Sequence, residues 1–426
     1  MMSKPETGSS GSDLRVNAGR DLRFDSLRGL FLVCMTINHL PNALRTVTDQ
    51  SLGVFSAAEG FVFLSGLLAG IVYTRKFRKG GREGLRTAAI GRAQTIYNWH
   101  FGSFVACLGI VQLMELIFGF CSSTSPQMFY EHPLQALALG ATFLLQPGLL
   151  DLLPMYCCFV ALLVWVIPAL EAGRRNWVLA ISGLLWVVNQ WAPPIDGDPL
   201  YPLNVGTFNI FAWQFLFVLG IVIGHARACG IPQVSRANPV TVIGALALAV
   251  YAFGLRHYQW PPLWPTRIYG IFLNKPALGL FRMGDFAAIA YLVAVIGARF
   301  PRLLTWPPLA FLGQHSLQVV AAQSVAVMAL LQFDGLFATE TRRTLTAFLA
   351  VALVYGAAGL HLLLRPSKPT AIKPTSDPSG SRFPTALAQR PSDPYPKLQS
   401  MGLPKEIDAR QAPGLALNPA DDIRAA

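Results

Sequence analysis

Two ionisable side chains stand eleven residues apart in the first apolar run of this chain, and a third opens the second run. The first run reads Arg23-Phe24-Asp25-Ser26-Leu27-Arg28-Gly29-Leu30 and continues, apolar, to Asn38-His39-Leu40-Pro41. Eleven helical residues rise about 16 Å over about three turns, so Arg28 and His39 share nearly one face at opposite mouths of a span. Pro41 disturbs or ends the helix just beyond His39. The second run carries Glu59 in Ser56-Ala57-Ala58-Glu59-Gly60. An acid in an apolar span needs a partner, and an imidazole at similar depth is a candidate. Such a pair suits general-base chemistry, with the carboxylate orienting the ring and stabilising the imidazolium. Plainer alternatives stand beside this one. His39 is then an interfacial histidine, Arg28 a basic anchor paired with Asp25 at i, i+3, and Glu59 a polar contact between helices.

A second group opens the third run, at Arg92, Tyr97 and His100. Helical spacing puts some of these on shared faces, where they suit a phosphate-bearing ligand or, equally, lipid headgroups. Lys275 and Arg282 could pair with a dicarboxylic chain, against the plainer reading as solvated loop cations. Asp285, Asn209, Gln214 and the run Gln314-His315-Ser316 read as structural, and Ser65 and Gly66 as helix packing. The six cysteines lack metal-site spacing, and no phosphate-binding glycine loop or nucleophile elbow is present. No metal and no resident cofactor is expected.

The elements that must position these residues follow from composition. Of 426 residues, 53% are hydrophobic and 13% charged, against roughly 25% charged in soluble domains. That balance argues against a soluble enzyme, a nucleic-acid binder despite the net charge of +12, a disordered chain and a disulfide scaffold. It predicts an all-α polytopic membrane protein. Apolar segments recur at 24–40, 54–74, 93–119, 134–149, 152–170, 177–192, 208–226, 238–255, 283–299, 308–331 and 344–364.

Charge decides the topology. Arg75, Lys76, Arg78, Lys79, Arg82, Arg86 and Arg92 face one acid, Glu83, in what reads as a cytoplasmic loop. If segment 134–149 does not cross, Arg174, Arg175, Arg227, Arg236, Arg299 and Arg302 join that side, and the acidic 191–207 loop falls outside. About ten crossings with both termini cytoplasmic result, and 134–149 becomes re-entrant or interfacial. Residues 1–23 are a polar N-terminus without the order of a cleaved signal, and 24–365 the membrane domain. The stretch 366–426, with eleven of the 31 prolines, reads as a disordered cytoplasmic tail.

The strings RDLRFDSLRGLFLVCMTINHLP (20–41), SAAEGFVFLSGLLAGIVY (56–73) and RAQTIYNWH (92–100) resemble the OpgC family, succinyltransferases of osmoregulated periplasmic glucans. LPMYCCFVALL, FNIFAWQFLFVLGIVIG, FLNKPALGLFR and FLGQHSLQVV extend the likeness over about residues 20–365. The family is similar in turn to the acyltransferase-3 superfamily. The resemblance implies an arginine and a histidine in the first helix, matched by Arg28 and His39, a catalytic His39 and Glu59 as its partner. Superfamily members often carry Arg-x-x-Arg before the third span; here Ala89 replaces the first arginine and only Arg92 matches. The expected activity is O-acyl transfer, from cytoplasmic acyl-CoA (succinyl-CoA or acetyl-CoA) to a periplasmic glucan hydroxyl, in a bacterial inner membrane. The resemblance, not the spacing, supplies the glucan and the succinyl group. A proton-coupled exporter or channel, with His39 and Glu59 as relay, and a non-catalytic membrane scaffold are the alternatives.

Overall fold

A computed structural model describes residues 21–119, 122, 125–191, 206–231, 237–265 and 269–364. The expected tail, most of the N-terminal segment and most of the 191–207 loop lie outside the described residues. All regular elements described are helical. They are α1 (Leu22–Asn38), α2 (Arg45–Thr48), α3 (Ala57–Phe118), α4 (Gln127–Glu131), α5 (Pro133–Ala141), α6 (Leu152–Glu171) and α7 (Arg175–Val188). There follow α8 (Ile210–Ala228), α9 (Pro239–His257), α10 (Tyr269–Leu273), α11 (Leu280–Arg299), α12 (Pro307–Gln314), α13 (Ser316–Leu331) and α14 (Glu340–Leu364). Among the described residues six helices are long and apolar enough to cross a membrane, or seven if α12 and α13, bent by 87° at His315, form one span. The architecture is that of a polytopic helical membrane protein.

The basic stretch 75–92 is not a loop. Helix α3 runs through it for 62 residues, broken only at Gly81 (φ 61°, ψ −156°). A Cβ on Gly84 would lie 3.7 Å from the Lys76 carbonyl oxygen; eight residues of straight helix would separate them by about 12 Å. The chain therefore reverses at Gly81, in backbone geometry open essentially to glycine alone. The segment expected at 134–149 holds only the nine-residue α5, about 13.5 Å of rise against roughly 30 Å of hydrocarbon.

Glycines set the tightest helix contacts. Gly66 and Gly70 of α3 press on the Phe217 and Ile221 backbone of α8, while Gly220 and Gly224 press back on Phe63 and Leu67. Small residues four apart on both helices let the two backbones meet. Gly29 of α1 packs on Leu309 and Gly313 of α12 on Asp25, so a Cβ at either would strike a carbonyl. Phe61, Tyr156, Phe159, Phe217 and Trp213 belong to the main buried cluster, at the α3–α6–α8 junction.

One end of the bundle gathers the basic segments. Arg23 donates to Gly297 O (2.6 Å), Arg227 pairs with Asp21 (2.9 Å) and Arg78 with Glu171 (3.0 Å). The start of α1, the reversal in α3 and the C-terminal ends of α6, α8 and α11 thus share a side, the arrangement the charge pattern predicts.

Candidate active site

At the opposite end, α1 stops at His39, its C-cap, ahead of Pro41. Asn42 donates its side-chain amide to Ile37 O (2.9 Å), which also accepts from Leu40 N (3.2 Å), and to Leu40 O (2.7 Å), pinning the turn after α1 to the helix end. Asn38 exchanges hydrogen bonds with Thr48 and ties α2 beneath the same end. His39 as a residue is exposed. It lines a cavity of about 170 Å³ with Arg45, Asp49, Asp151, Lys275 and Gln323. No hydrogen bond engages the imidazole among the described residues. Lys275 and Arg45 both act on it electrostatically.

Glu59 does not meet His39. It is fully buried in the first turn of α3. One carboxylate oxygen accepts from Ser56 N (3.0 Å) and Ser56 Oγ (2.5 Å), a cap for the helix start. The other accepts from Nε (2.8 Å) and Nη2 of Arg282, itself 2% exposed. The partner that the buried acid needs is this guanidinium from α11, 223 residues away, and not an imidazole. One turn along α11, Asp285 accepts from Val54 N (2.7 Å) and Phe55 N (3.2 Å). Arg282 and Asp285 thereby fix the stretch 54–59, part of which, Ser56 to Ala58, walls the cavity. Arg282 is consequently no free cation for a ligand; Lys275 is, with no ion pair among the described residues and a field felt by His39, Glu59 and Asp151.

The remaining predicted residues fall elsewhere. Arg28 donates to Ser316 at the break between α12 and α13, and its guanidinium lies 5.4 Å from the Phe61 ring centre. Asp25 is buried where Gly313 crosses. Tyr97 donates to Ala141 O (3.1 Å), and His100 Nε2 lies 3.3 Å from Gly140 O. Both dock the end of α5 onto α3. Arg92 stays exposed on α3.

Sequence reading overlooked Arg45, Gln323 and Asp151. Arg45 and Asp151 look like ordinary loop charges beside apolar runs, and nothing local marks them. Asp151 is 3% exposed and accepts from Thr207 N (3.1 Å) and Oγ1 (2.5 Å). Burial pushes its carboxyl up to about 6, against the lowering effect of those bonds. The Gln323 side chain, 6% exposed, leaves Oε1 without a hydrogen bond.

A second cavity, about 490 Å³, lies at the basic end between α3 and the end of α6. Arg82, Arg86 and Arg174 line it with Glu83 and the Trp165 ring.

Among the described residues the two ends of the bundle thus each carry a cavity lined by charged side chains, and the one at His39 places that residue with Lys275 and Arg45. The chain belongs to the OpgC family: the family model described as OpgC protein matches residues 20–365. No curated protein and no solved structure matches it. Membership supports a transferase, a glucan-related acyltransferase at the level of the family.

Proposed function

We propose that the chain is a membrane O-acyltransferase of the acyltransferase-3 type, with ten crossings and both termini in the cytoplasm. The crossings are α1, the two halves of α3, α6, α7, α8, α9, α11, the bent α12–α13 pair and α14. The basic end faces the cytoplasm under the positive-inside rule, in a bacterial inner membrane. An acyl-CoA donor, succinyl-CoA or acetyl-CoA, binds there. Its phosphates meet Arg82, Arg86 and Arg174, and the pantetheine arm runs past Arg28 towards His39. The cavity at His39 is smaller than the roughly 300 Å³ of ordinary ligand pockets. It accommodates the reacting ends only, the acyl group and one hydroxyl of a periplasmic glucan.

His39 takes the hydroxyl proton as the oxygen attacks the thioester carbonyl, and the coenzyme thiolate leaves. Lys275 and Arg45 stabilise the negative charge that develops on the carbonyl oxygen, or hold the distal carboxylate of a succinyl group. Gln323 Oε1 accepts from the sugar. Glu59 and Arg282 are positioning residues: they hold the start of α3 against the cavity and do not touch the reactants. The observation that carries this reading is His39, its imidazole free of protein hydrogen bonds among the described residues, lining a cavity with Lys275 and Arg45.

The test is transfer of label from acyl-CoA to glucan in proteoliposomes. Modified glucan, made by the wild type and lost in His39→Ala, is the expected result. Movement of unmodified glucan across the vesicle without label transfer would replace the enzyme with an exporter.

A further inference from the structure

At the basic end, three side chains of different chemistry converge on one point that the acyl-transfer reading does not use. Glu171 closes α6, His225 lies in the last turn of α8 and Cys229 is the C-cap of α8. One potential ligand atom from each residue lies within 4.8 Å of the other two. His225 Nε2 is 3.0 Å from Glu171 Oε1, and Cys229 Sγ is 3.8 Å from the same ring. His225 and Cys229 are one helical turn apart on one face, the spacing by which a helix presents two ligands to a metal.

A cation already occupies the meeting point. The Arg78 guanidinium donates through Nε to Glu171 Oε1 (3.0 Å) and through Nη2 to Cys229 Sγ (3.0 Å). Carboxylate and sulfur are therefore both turned towards one positive charge. Arg78 is 46% exposed, whereas Glu171 and His225 are 20% and 15% exposed. The arginine can swing into water while the three ligands stay fixed by the helices that carry them.

From this arrangement we propose that Glu171, His225 and Cys229 form a zinc site in which the metal displaces Arg78. Ligands of tetrahedral zinc sit at about 2.0–2.3 Å from the metal, hence roughly 3.3–3.7 Å from one another. Closing from the observed separations takes shifts of about 1 Å in side chains at helix ends. Binding releases the Cys229 thiol proton to solvent, the neutral imidazole donates one nitrogen, and water takes the fourth position. Zinc in this place ties the ends of α6 and α8 together and releases the α3 reversal that carries Arg78. The proposal stands independently of the acyl-transfer reading. Sequence inspection misses the site because Glu171 lies 54 residues from His225, far outside short zinc spacings.

The experiment is equilibrium dialysis of the untagged full-length protein in detergent against zinc chloride, followed by metal analysis and by cobalt(II) substitution. The expected result is one zinc per chain and a thiolate-to-cobalt charge-transfer band. Cys229→Ser and Glu171→Gln should each weaken binding by about 100-fold. Arg78→Met, which removes the competing cation and leaves every ligand, should tighten it by about tenfold. It keeps the question open to refutation if the ligand variants fold poorly. Zinc uptake no greater than in Cys229→Ser, a cobalt complex without the thiolate band, or unchanged affinity in Arg78→Met would each overturn the site and leave an arginine-centred ion pair.

Discussion

An ionisable residue in an apolar run is legible because its desolvation cost must be met, but the run does not say by whom. His39 and Glu59 stand out for that reason, and both sit at the same end of the bundle. Their expected pairing fails because Arg282 offers the acid two donors, and an acid buried at a helix start gains more from a guanidinium and its own cap than from a ring. Removing one member of this buried pair should cost about 3–5 kcal/mol. Glu59→Gln should therefore lower the melting temperature strongly; a melt matching wild type would show the pair to be dispensable. Asp151 gives a pH signature. Its carboxyl titrates at about 6 in the fold against 3.8 in a model peptide, so the folded chain binds that proton more tightly. The associated stability is complete below 3.8 and is lost as pH rises through about 6. Asp151→Asn should flatten that fall in melts across the same window, and an unchanged fall would place its origin elsewhere.

Helix character was readable from apolar length, and element ends less so. A run of basic residues looks like a loop whether or not it is helical, and arginine and lysine are good helix formers. Only Gly81 marks the reversal, among many glycines that mark nothing. Replacing it by alanine puts a side chain in a glycine-only conformation, at about 1–3 kcal/mol. Gly84→Ala, with only an ordinary contact to meet, should cost far less; equal melts for the two would mean that the reversal is not needed. The glycine ladder of α3 and α8 was half visible, since Gly66 announced packing without naming its partner. Gly220→Ala should separate the two backbones and reduce folded yield, whereas Gly244→Ala, which meets open space, should not.

For the whole molecule, charge asymmetry carried more information than hydrophobic length. Eleven apolar segments leave the number of crossings open, and the demand that basic stretches share a side is what selects the proposed ten. The contacts Arg23–Gly297, Arg227–Asp21 and Arg78–Glu171 meet that demand. Single cysteines introduced at Glu83, Arg174 and Arg302 should react with an impermeant thiol reagent only from the cytoplasm, and ones at Asp49 and Asp334 only from the periplasm. Labelling of Glu83 and Asp49 positions from the same side would refute the topology. What no reading of the chain in order could supply is the cavity at His39, assembled from α1, α2, the start of α3, residue 151, residue 275 and α13.

The central claim is that the His39 imidazole moves the proton. Single-turnover acyl transfer by His39→Ala, in protein whose melting temperature matches wild type, addresses it directly. A rate lower by about 10²–10⁴-fold, with donor affinity unchanged, is the predicted result. A rate within a few-fold of wild type, at saturating donor and acceptor, would contradict it.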